Sequence, residues 1–249
     1  MRDEKVAIVN ICIQETNYMY KQLMYNISNY TIRKYSEKLD VPHIPIMERK
    51  YTSKDDRFPL HIEKLQVGDF LEEFDRVLLL DSDILINPRA EDIFENYKGD
   101  CLFAYDEGHN NWIPEEVNNL EEIYNVKFPY NRSHKVHLNG GVVIYSQSSK
   151  KLFKSFNYNE FNPSFYPHGG EQSYFNSLIA RNNIPFDYLN PLYNWCVYET
   201  EEKFRNRIFS SFIHYAGGGF YLNKQSREKQ IIDDFIKLGH CNGGSYELF

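Results

Sequence analysis

Cysteine is scarce in this chain, and the few cysteines form no paired motif. Cys12, Cys101, Cys196 and Cys241 are widely spaced, with no Cys-x-x-Cys pair among them. A zinc site is therefore not expected. Isolated cysteines of this kind are typical of reduced, buried thiols in a cytosolic compartment.

A basic stripe and a long apolar run are also missing. The chain has 28 Lys and Arg against 35 Asp and Glu, a net charge of -7, which argues against broad nucleic-acid binding. No apolar stretch approaches the roughly 20 residues that a membrane span requires, and the first residues do not resemble a signal peptide. We therefore expect a cytoplasmic protein, in which a phosphorylated substrate would need a metal ion to offset the acidic charge.

Aromatic residues, by contrast, are abundant. The 249 residues include 20 Tyr and 18 Phe, within an ordinary 42% hydrophobic and 25% charged content. Aromatic side chains beyond the needs of a core often line sugar or nucleobase sites. The length is enough for one large domain or two small ones.

Apolar strands and amphipathic helices alternate along the first half. Strands are predicted at 6–13, 41–47, 76–80 and 101–105, and helices at 18–38, 59–73 and 89–97. This alternation implies right-handed crossovers and a mainly parallel sheet, which places the chain in the α/β class. In the less regular second half we predict helices at 115–124, 148–156, 171–181 and 226–238, a strand entered through a tight turn at 140–146, and a strand within 207–215. No repeat or linker interrupts the chain, so a single domain is expected.

The most informative stretch is residues 76–88, in which four apolar residues lead into Asp81-Ser82-Asp83. Asp81 and Asp83 follow a buried strand at its carboxyl end, where open α/β sheets bind ligands. Residues two apart in an extended segment point to the same side, so the carboxylates repel each other unless a cation joins them. Oxygen ligands favour Mg²⁺ or Mn²⁺, which often hold phosphates. The stretch predicts a metal–diphosphate site, the alternative being a loop whose aspartates cap the following turn and helix.

Three further motifs fall at strand ends or helix starts: Leu138-Asn139-Gly140-Gly141, Gly170-Glu171-Gln172 and His214 to Gly219. In this order the motifs resemble nucleotide-sugar glycosyltransferases of the GT-A fold, over about residues 5–220. The pattern is most similar to retaining family 8, the glycogenin and bacterial galactosyltransferase type, with a weaker similarity to family 34. The resemblance implies a Rossmann-like, mainly parallel central sheet flanked by helices. It also implies one domain over 1–249, with a nucleotide-binding half at about 1–105, an acceptor and metal half at about 106–225, and a C-terminal helix and tail at 226–249.

The resemblance implies a metal ion held by three protein ligands. Asp81 and Asp83 match the family's Asp-x-Asp pair, and His214 matches its third ligand, from a distant strand. An imidazole ligand favours Mn²⁺, with Mg²⁺ as the alternative. The other interpretation of His214 is a core histidine that is hydrogen-bonded to backbone.

A UDP-linked donor is implied by residues that match the family's nucleotide site. Asn10 and Ile11 would hold uracil and ribose, Ser82 would lie by the ribose, and Tyr18 would stack on the base. Tyr18 is equally suited to packing within its own helix.

The diphosphate would be bound by glycine amides and by cations. Gly217 matches the glycine after the metal histidine, where no Cβ blocks the approach of a phosphate. The family places a lysine three residues later, where this chain has Phe220, so Lys224 is the expected substitute. Lys64 matches a Lys or Arg that touches the donor and neutralises the leaving charge, although an exposed helix lysine is the alternative.

The donor sugar would be bordered by Asn139 and Gly140 and hydrogen-bonded by Asp106. Glu171-Gln172 matches an Asp-Gln pair at the reactive carbon, with Glu in place of Asp. Gln172 would lie beneath the anomeric centre, and Glu171 would hold a donor hydroxyl. Alternatively, Glu171 only complements the dipole of its helix.

These matches predict a metal-dependent transferase that moves a sugar from a nucleotide sugar to a hydroxyl acceptor, such as a glycan, with retention. Three alternatives stay open: an inverting enzyme with Glu171 or Asp106 as base, a haloacid-dehalogenase-type phosphatase that uses Asp233-Asp234, and a non-catalytic sugar-binding module. A nucleotidyltransferase is disfavoured because no glycine-rich basic loop follows the first strand. The sequence does not specify the sugar, the acceptor or the oligomeric state.

Overall fold

The computed structural model describes residues 4–13, 22–52, 59–161, 170–197, 199–217 and 226–240. Tyr18 and Lys224, both predicted to bind the donor, lie outside these ranges, as do Phe220 and Cys241. Within the described residues, no helix combines the length and apolar character that crossing a membrane requires.

The strands of the described residues form sheets of six, three and two strands. They are β1 Val6–Ile11, β2 His43–Ile46, β3 Arg76–Leu80, β4 Ile84–Ile86, β5 Leu102–Asp106, β6 Tyr130–Asn131, β7 His134–Lys135, β8 Leu138–Ser146, β9 Phe186–Tyr188, β10 Trp195–Cys196 and β11 Phe212–His214. The sheet orders are β2-β1-β3-β8-β5-β9, β10-β11-β4 and β6-β7. Strand β1 pairs with β2, and β5 with β9, in parallel, whereas β5 and β8 are antiparallel.

Eight α-helices accompany these strands in the described ranges. They are α1 Gln22–Leu39, α2 Val67–Phe70, α3 Ile93–Asn96, α4 Ile113–Tyr124, α5 Lys150–Lys154, α6 Glu171–Asn182, α7 Glu201–Asn206 and α8 Arg227–Lys237. The same ranges include four short 3₁₀ helices, at Leu60–Gln66, Gln147–Ser149, Pro191–Tyr193 and Arg207–Phe209. The predicted α/β class, with a mainly parallel central sheet flanked by helices, is confirmed.

Two local predictions were wrong. The tight turn before the strand at 140–146 does not exist, because β8 already begins at Leu138 and Gly140 lies inside it. The helix predicted at 59–73 is a 3₁₀ helix, Leu60–Gln66, followed by the single turn of α2. Strand β4 was not predicted at all, since its three apolar residues follow the Asp81 turn directly.

Contacts divide the chain into two compact units, each discontinuous in sequence. Unit 1 consists of residues 1–6, 48–79 and 99–189. Within it, α4 and α5 pack against α6. Aromatic rings fill the region around this helix, with the ring centroids of Phe156, Phe161 and Tyr124 lying 5.1, 5.5 and 5.5 Å from that of Tyr174.

Unit 2 consists of residues 7–47, 80–98 and 190–249. Its core joins α1, β4, β11 and α8 through the buried side chains of Met24, Ile27, Leu85, Val197, Phe204, Ile213, Tyr215, Ile231 and Phe235. Asp234 lies in this region, fully buried, and binds the Arg207 guanidinium at 2.5 and 2.8 Å. The Tyr215 hydroxyl donates to the same carboxylate at 2.7 Å. The second acidic motif that a phosphatase would need is therefore engaged in a structural ion pair.

In unit 1, the Glu63 carboxylate holds residues 50–52 in place through hydrogen bonds. Its fully buried carboxylate accepts hydrogen bonds from the backbone N–H groups of Lys50, Tyr51 and Thr52. The Thr52 hydroxyl and the Gln66 side-chain amide donate to it as well. Burial opposes ionisation of Glu63, but these hydrogen bonds outweigh it and hold its pKa below the usual 4.5.

Substituting Glu63→Gln tests this arrangement. Because the folded pKa is lowered, the ionised carboxylate stabilises the fold above its usual pKa, and this stabilisation is lost as the pH falls through the lower folded value. We expect the variant to lose about 1–3 kcal/mol of unfolding free energy at neutral pH and to be less acid-sensitive than the wild type below about pH 5. Thermal melts across pH measure both effects. The control is Glu72→Gln, whose side chain is 62% exposed beside Lys150; a similar loss in both variants would contradict the account.

Candidate functional site

Asp81, Asp83 and His214 form a cluster in unit 2. Each offers a ligand atom, and these three atoms lie within 4.8 Å of one another. Strand β3 ends at Leu80, the two aspartates lie in the turn that follows, and β4 begins at Ile84. Strand β4 pairs antiparallel with β11, with His214 opposite Ile84. This register places a residue more than 130 positions downstream beside the acidic pair.

The orientation of the His214 ring is set by Asn194. The Asn194 side-chain oxygen lies 2.8 Å from Nδ1 of His214, and both residues are buried. Because that oxygen can only accept, the hydrogen resides on Nδ1, and the Nε2 of the neutral imidazole presents a lone pair. This Nε2 lies 3.3 Å from Oδ1 of Asp83. Two acceptors that face each other at this distance require a cation or a proton between them.

Arg227, the first residue of α8, was not predicted as a site residue. Its Nη1 lies 3.2 Å from Oδ2 of Asp83 and donates to the Tyr215 carbonyl oxygen at 2.9 Å. A cation at a helix N-terminus is unfavourable for the helix dipole. That misfit at Ser226-Arg227, where the Ser226 hydroxyl caps the helix, was the signal that could have identified Arg227.

The donor set of this cluster fits a hard divalent ion with one nitrogen ligand. Two carboxylates and an imidazole suit Mn²⁺ better than Mg²⁺. The hydrogen bond from Nδ1 to Asn194 is the outer contact that metal-bound histidines usually make. Among the described residues, no other group of at least three His, Cys, Asp or Glu side chains is placed to hold an ion.

The residues predicted to contact the nucleotide differ in their exposure and in their hydrogen-bond partners. The Ser82 hydroxyl donates to the Ile11 carbonyl oxygen, so the structure brings these two together at the end of β1. Asn10 is fully buried, with its side chain bonded to His43 at 2.7 Å and to the Cys12 sulfur at 3.1 Å. Its amide is thus committed inside the protein.

Gly217 has a φ of +75°. A residue with a Cβ is strained in this region of backbone conformation, although no atom of the described residues lies within 4 Å of the position that a Cβ would take. The backbone conformation by itself therefore favours glycine here. Its predicted contact with a diphosphate stays a prediction.

A second polar cluster lies in unit 1, around Lys64 and Glu171. The Lys64 ammonium donates to Oε1 of Glu171 at 3.0 Å and to the Gly140 carbonyl oxygen at 3.1 Å. The imidazole of His61, a residue that was not predicted, lies 3.1 Å from the other Glu171 oxygen. The Lys64 side chain is 5% exposed, so it is not an ordinary surface lysine. A cavity of unit 1 is lined in part by Lys64, Asn139, Gly140, Glu171 and Gln172.

Glu171 is held in its ionised form. Burial opposes ionisation, but the charges of Lys64 and His61 and the Lys64 hydrogen bond outweigh it, so the pKa of Glu171 lies below its ordinary value. Glu171 therefore does more than complement the dipole of α6, because it anchors a buried lysine.

Asp106, at the end of β5, is saturated with hydrogen bonds. Its Oδ1 accepts from the N–H groups of Gly108 and His137, and its Oδ2 lies 2.9 Å from both Asn131 Nδ2 and His134 Nε2. These bonds outweigh the effect of burial and lower the pKa of Asp106. A Cβ at Gly108 would lie 2.1 Å from the Lys135 carbonyl oxygen, so the loop closes tightly here. The observed role of Asp106 is to hold this loop.

Comparison with known proteins places the fold. No family model matches the sequence, and no curated protein matches it. A glycosyltransferase involved in the glycosylation of the major capsid of PBCV-1 aligns with a TM-score of 0.57 at 13% identity, over 93% of this chain and 99% of that one. The galactosyltransferase LgtC, with donor and acceptor sugar analogs, gives 0.53 at 13% identity, over 97% and 98%. The glycosyltransferase GlyE of Streptococcus pneumoniae gives 0.51 at 14% identity, over 94% of this chain and 64% of its own. At these identities the likeness shows the fold, which is the GT-A fold of glycosyltransferases.

Titration with Mn²⁺ tests the Asp81, Asp83 and His214 cluster. We expect Mn²⁺ to raise the melting temperature of the wild type, because an ion that binds only the folded state stabilises it. Asp83→Asn and His214→Ala should abolish this rise, and Asn194→Leu should weaken Mn²⁺ binding by about 10–100-fold. Asp233→Asn, in a helix of the same unit, is the control and should behave as wild type. A Mn²⁺ response that survives His214→Ala would contradict the assignment.

Proposed function

We propose that the protein is a metal-dependent glycosyltransferase. It transfers a sugar from a nucleotide diphosphate sugar, which we take to be UDP-linked, to a hydroxyl acceptor such as a glycan. The observation that carries the proposal is the cluster of Asp81, Asp83 and His214, in which two acceptor atoms face each other at 3.3 Å. Its occurrence on a fold shared with glycosyltransferases gives the cation a diphosphate as its natural partner.

In this proposal the leaving diphosphate is stabilised by charge. A bound Mn²⁺ or Mg²⁺ supplies Lewis-acid stabilisation of the diphosphate oxygens. Asp81, Asp83 and His214 would hold that ion, and Asn194 keeps the imidazole in the tautomer that can bind it. Arg227 adds a fixed positive charge beside Asp83, which also favours the developing phosphate charge. Arg227 thereby supplies a cation in a chain that lacks the family's lysine at position 220.

The donor sugar is assigned to the cluster of unit 1. Lys64, Glu171 and Gln172 converge on the backbone of Gly140, where the Gly140 N–H donates to the Gln172 side-chain oxygen at 2.8 Å and its carbonyl accepts from Lys64. Buried polar groups held this firmly are suited to hydrogen-bonding sugar hydroxyls, because their geometry is fixed before a ligand arrives. We assign Glu171 to a sugar hydroxyl and Gln172 to the reactive carbon, and we leave Asp106 a positioning role through its loop.

Retention of configuration is favoured by the state of the candidate bases. An inverting enzyme needs a carboxylate whose pKa lies near the working pH. Glu171 and Asp106 both have lowered pKa values and committed oxygens, so neither is suited to accept a proton. In a retaining reaction the departing phosphate oxygen can take the proton from the attacking hydroxyl. This supports our proposal of a retaining reaction of the family 8 type.

The rival functions have weaker support. In the phosphatase alternative, Asp234 would have to leave its ion pair with Arg207, and breaking a buried pair costs about 3–5 kcal/mol. A sugar-binding module would need no cation, and the arrangement of Asp83, His214 and Arg227 would then be unexplained.

Screening of nucleotide sugars, with and without Mn²⁺, tests the proposed function. We expect one donor to raise the melting temperature only when Mn²⁺ is present, and to be hydrolysed slowly in the absence of an acceptor. Binding without hydrolysis would favour the module, and cleavage of a generic phosphomonoester that Asp81→Asn abolishes would favour the phosphatase. Donor binding that is independent of metal would contradict the proposal.

Gly140→Ala separates folding from sugar binding. An added Cβ would lie 3.5 Å from Lys64 Nζ and 3.6 Å from Gln172 Oε1, which are ordinary contacts. We therefore expect a melting temperature and a Mn²⁺ response close to those of the wild type. The methyl group would occupy the space assigned to the sugar, so kcat/KM for donor hydrolysis should fall at least about 10-fold, or ~1.4 kcal/mol of transition-state stabilisation. An unchanged kcat/KM would contradict the assignment of the donor sugar to this cluster.

Arg227→Gln separates metal binding from diphosphate binding. The guanidinium beside Asp83 opposes a second cation, so its loss should leave Mn²⁺ affinity equal or higher. The loss of a phosphate partner should weaken UDP binding in saturating Mn²⁺ by about 10-fold. Calorimetry with each ligand measures both affinities, with Lys229→Gln on the same helix as control. Weaker Mn²⁺ binding in Arg227→Gln, or unchanged UDP binding, would contradict this role.

A further inference from the structure

Unit 1 contains a buried carboxylate and imidazole that the proposed function does not use. Glu107 is 1% exposed and His137 is fully buried. Glu107 follows Asp106 directly, next to the irregular pairing of β5 with β8 between Ala104 and Asp106. Burying such groups is costly unless they are hydrogen-bonded, so the contacts of Glu107 identify what the pair does.

The principal contact of Glu107 is the side-chain amide of Gln172. The Gln172 Nε2 donates to Oε1 of Glu107, and the Gln172 Oε1 accepts from the Gly140 N–H at 2.8 Å. A carboxylate can only accept and a backbone N–H can only donate. The NH₂ of Gln172 must therefore face Glu107, and its carbonyl oxygen must face Gly140. Neither end of the amide can be reversed without losing a buried hydrogen bond.

Glu107 is itself fixed by three further contacts. Its Oε1 lies 3.2 Å from Nδ1 of His137, its Oε2 accepts from Asn139 Nδ2 at 2.9 Å, and its backbone N–H donates to the His137 carbonyl oxygen at 2.9 Å. The His137 Nε2 is buried and has no hydrogen-bond partner among the described residues. An imidazole that leaves one nitrogen unsatisfied is not optimised for stability. This indicates that its contact with Glu107 is the one that matters.

We propose that Glu107, supported by His137, is a positioning residue that orients the Gln172 amide. A Cβ built at Gly140 would lie within 3.6 Å of both Gln172 Oε1 and Lys64 Nζ. The two atoms therefore lie on the same side of Gly140, and Glu107 keeps the Gln172 carbonyl oxygen on that side. The negative end of the amide dipole thereby faces the space assigned to the sugar. The positive charge that develops on the anomeric carbon would be stabilised by this fixed dipole. The inference rests on the proposed function, in which Gln172 lies at the reactive carbon.

Glu107→Gln tests this role with a nearly isosteric change. The two oxygens of Glu107 serve three side-chain partners, Gln172, His137 and Asn139, and a glutamine has only one acceptor oxygen. The orientation of Gln172 should therefore relax while the loop keeps its length and shape. We expect kcat for donor hydrolysis to fall about 10–100-fold, with the donor KM within about 2-fold of wild type. His137→Gln, which keeps a donor toward Glu107, should show a smaller fall in kcat.

Glu116→Gln is the matched control. Glu116 is also buried in unit 1, and it accepts a hydrogen bond from the hydroxyl of Ser173, the residue next to Gln172. We expect Glu116→Gln to change the melting temperature, but its kcat for donor hydrolysis should equal that of the wild type. A role of Glu107 that is only structural would instead give the two variants the same kinetic behaviour.

The second readout is the side-chain amide signal of Gln172 in ¹⁵N NMR, assigned by its loss in Gln172→Glu. Glu107→Gln should shift or broaden this signal, and Glu116→Gln should not. An unmoved signal, or equal kcat values for the two variants, would overturn the proposal. If the proposed function is wrong, the wild type will hydrolyse no nucleotide sugar, although the Gln172 signal can still depend on Glu107. That outcome would overturn the catalytic part of the inference.

Discussion

The arrangement of unit 2 depends on two acceptor atoms that face each other, Nε2 of His214 and Oδ1 of Asp83, 3.3 Å apart. The pairing of β4 with β11 fixes this distance, and with the Asn194 contact at Nδ1 the arrangement is unfavourable unless a cation or a proton lies between the two atoms. Arg227 relieves part of the charge from the other carboxylate oxygen. Asp81, Asp83 and His214 thus offer three ligand atoms within 4.8 Å of one another. This geometry supports our proposal that the cluster binds a cation and its anionic ligand.

Unit 1 uses buried carboxylates in a different way. Glu63, Asp106, Glu107 and Glu171 each accept several hydrogen bonds, and for Glu63, Asp106 and Glu171 the hydrogen bonds and charges lower the pKa despite burial. Such groups hold loops and neighbouring side chains in place and are poor proton acceptors near neutral pH. In a retaining reaction, the leaving phosphate oxygen accepts the proton of the attacking hydroxyl. Such a reaction does not require these carboxylates to act as bases. The electrostatics of unit 1 thus agree with the retaining chemistry that we propose.

Local sequence was sufficient for part of this picture. The positions of Asp81 and Asp83 follow from a buried strand and from the two-residue period of extended backbone, both of which are local properties. His214 was identified through the resemblance only, because its proximity to Asp83 arises from a β4–β11 pairing that three apolar residues do not encode by themselves. The alternation of strands and helices gave the α/β class, but it did not show that Gly140 lies inside β8, because glycines more often mark turns.

The residues that sequence reasoning missed share a physical cause. Arg227 and His61 look like surface residues of helices, and Glu107 is a charged residue in a polar loop. Their partners are distant in sequence, so burial and pairing are decided by tertiary contacts. Lys64 shows the same effect, since an exposed helix lysine and a buried partner of Glu171 are indistinguishable in sequence. Only the misfit of Arg227 with its helix dipole was visible beforehand.

In the proposed function, one divalent cation is bound jointly by the acidic pair and by an imidazole, with a diphosphate on its open side. Pulsed electron paramagnetic resonance of the protein with Mn²⁺ tests it most directly. We predict a ¹⁴N coupling from the imidazole that disappears in His214→Ala, and a ³¹P coupling that appears when UDP is added. Bound Mn²⁺ with no ¹⁴N coupling in the wild type, or with no ³¹P coupling in saturating UDP, would contradict the account.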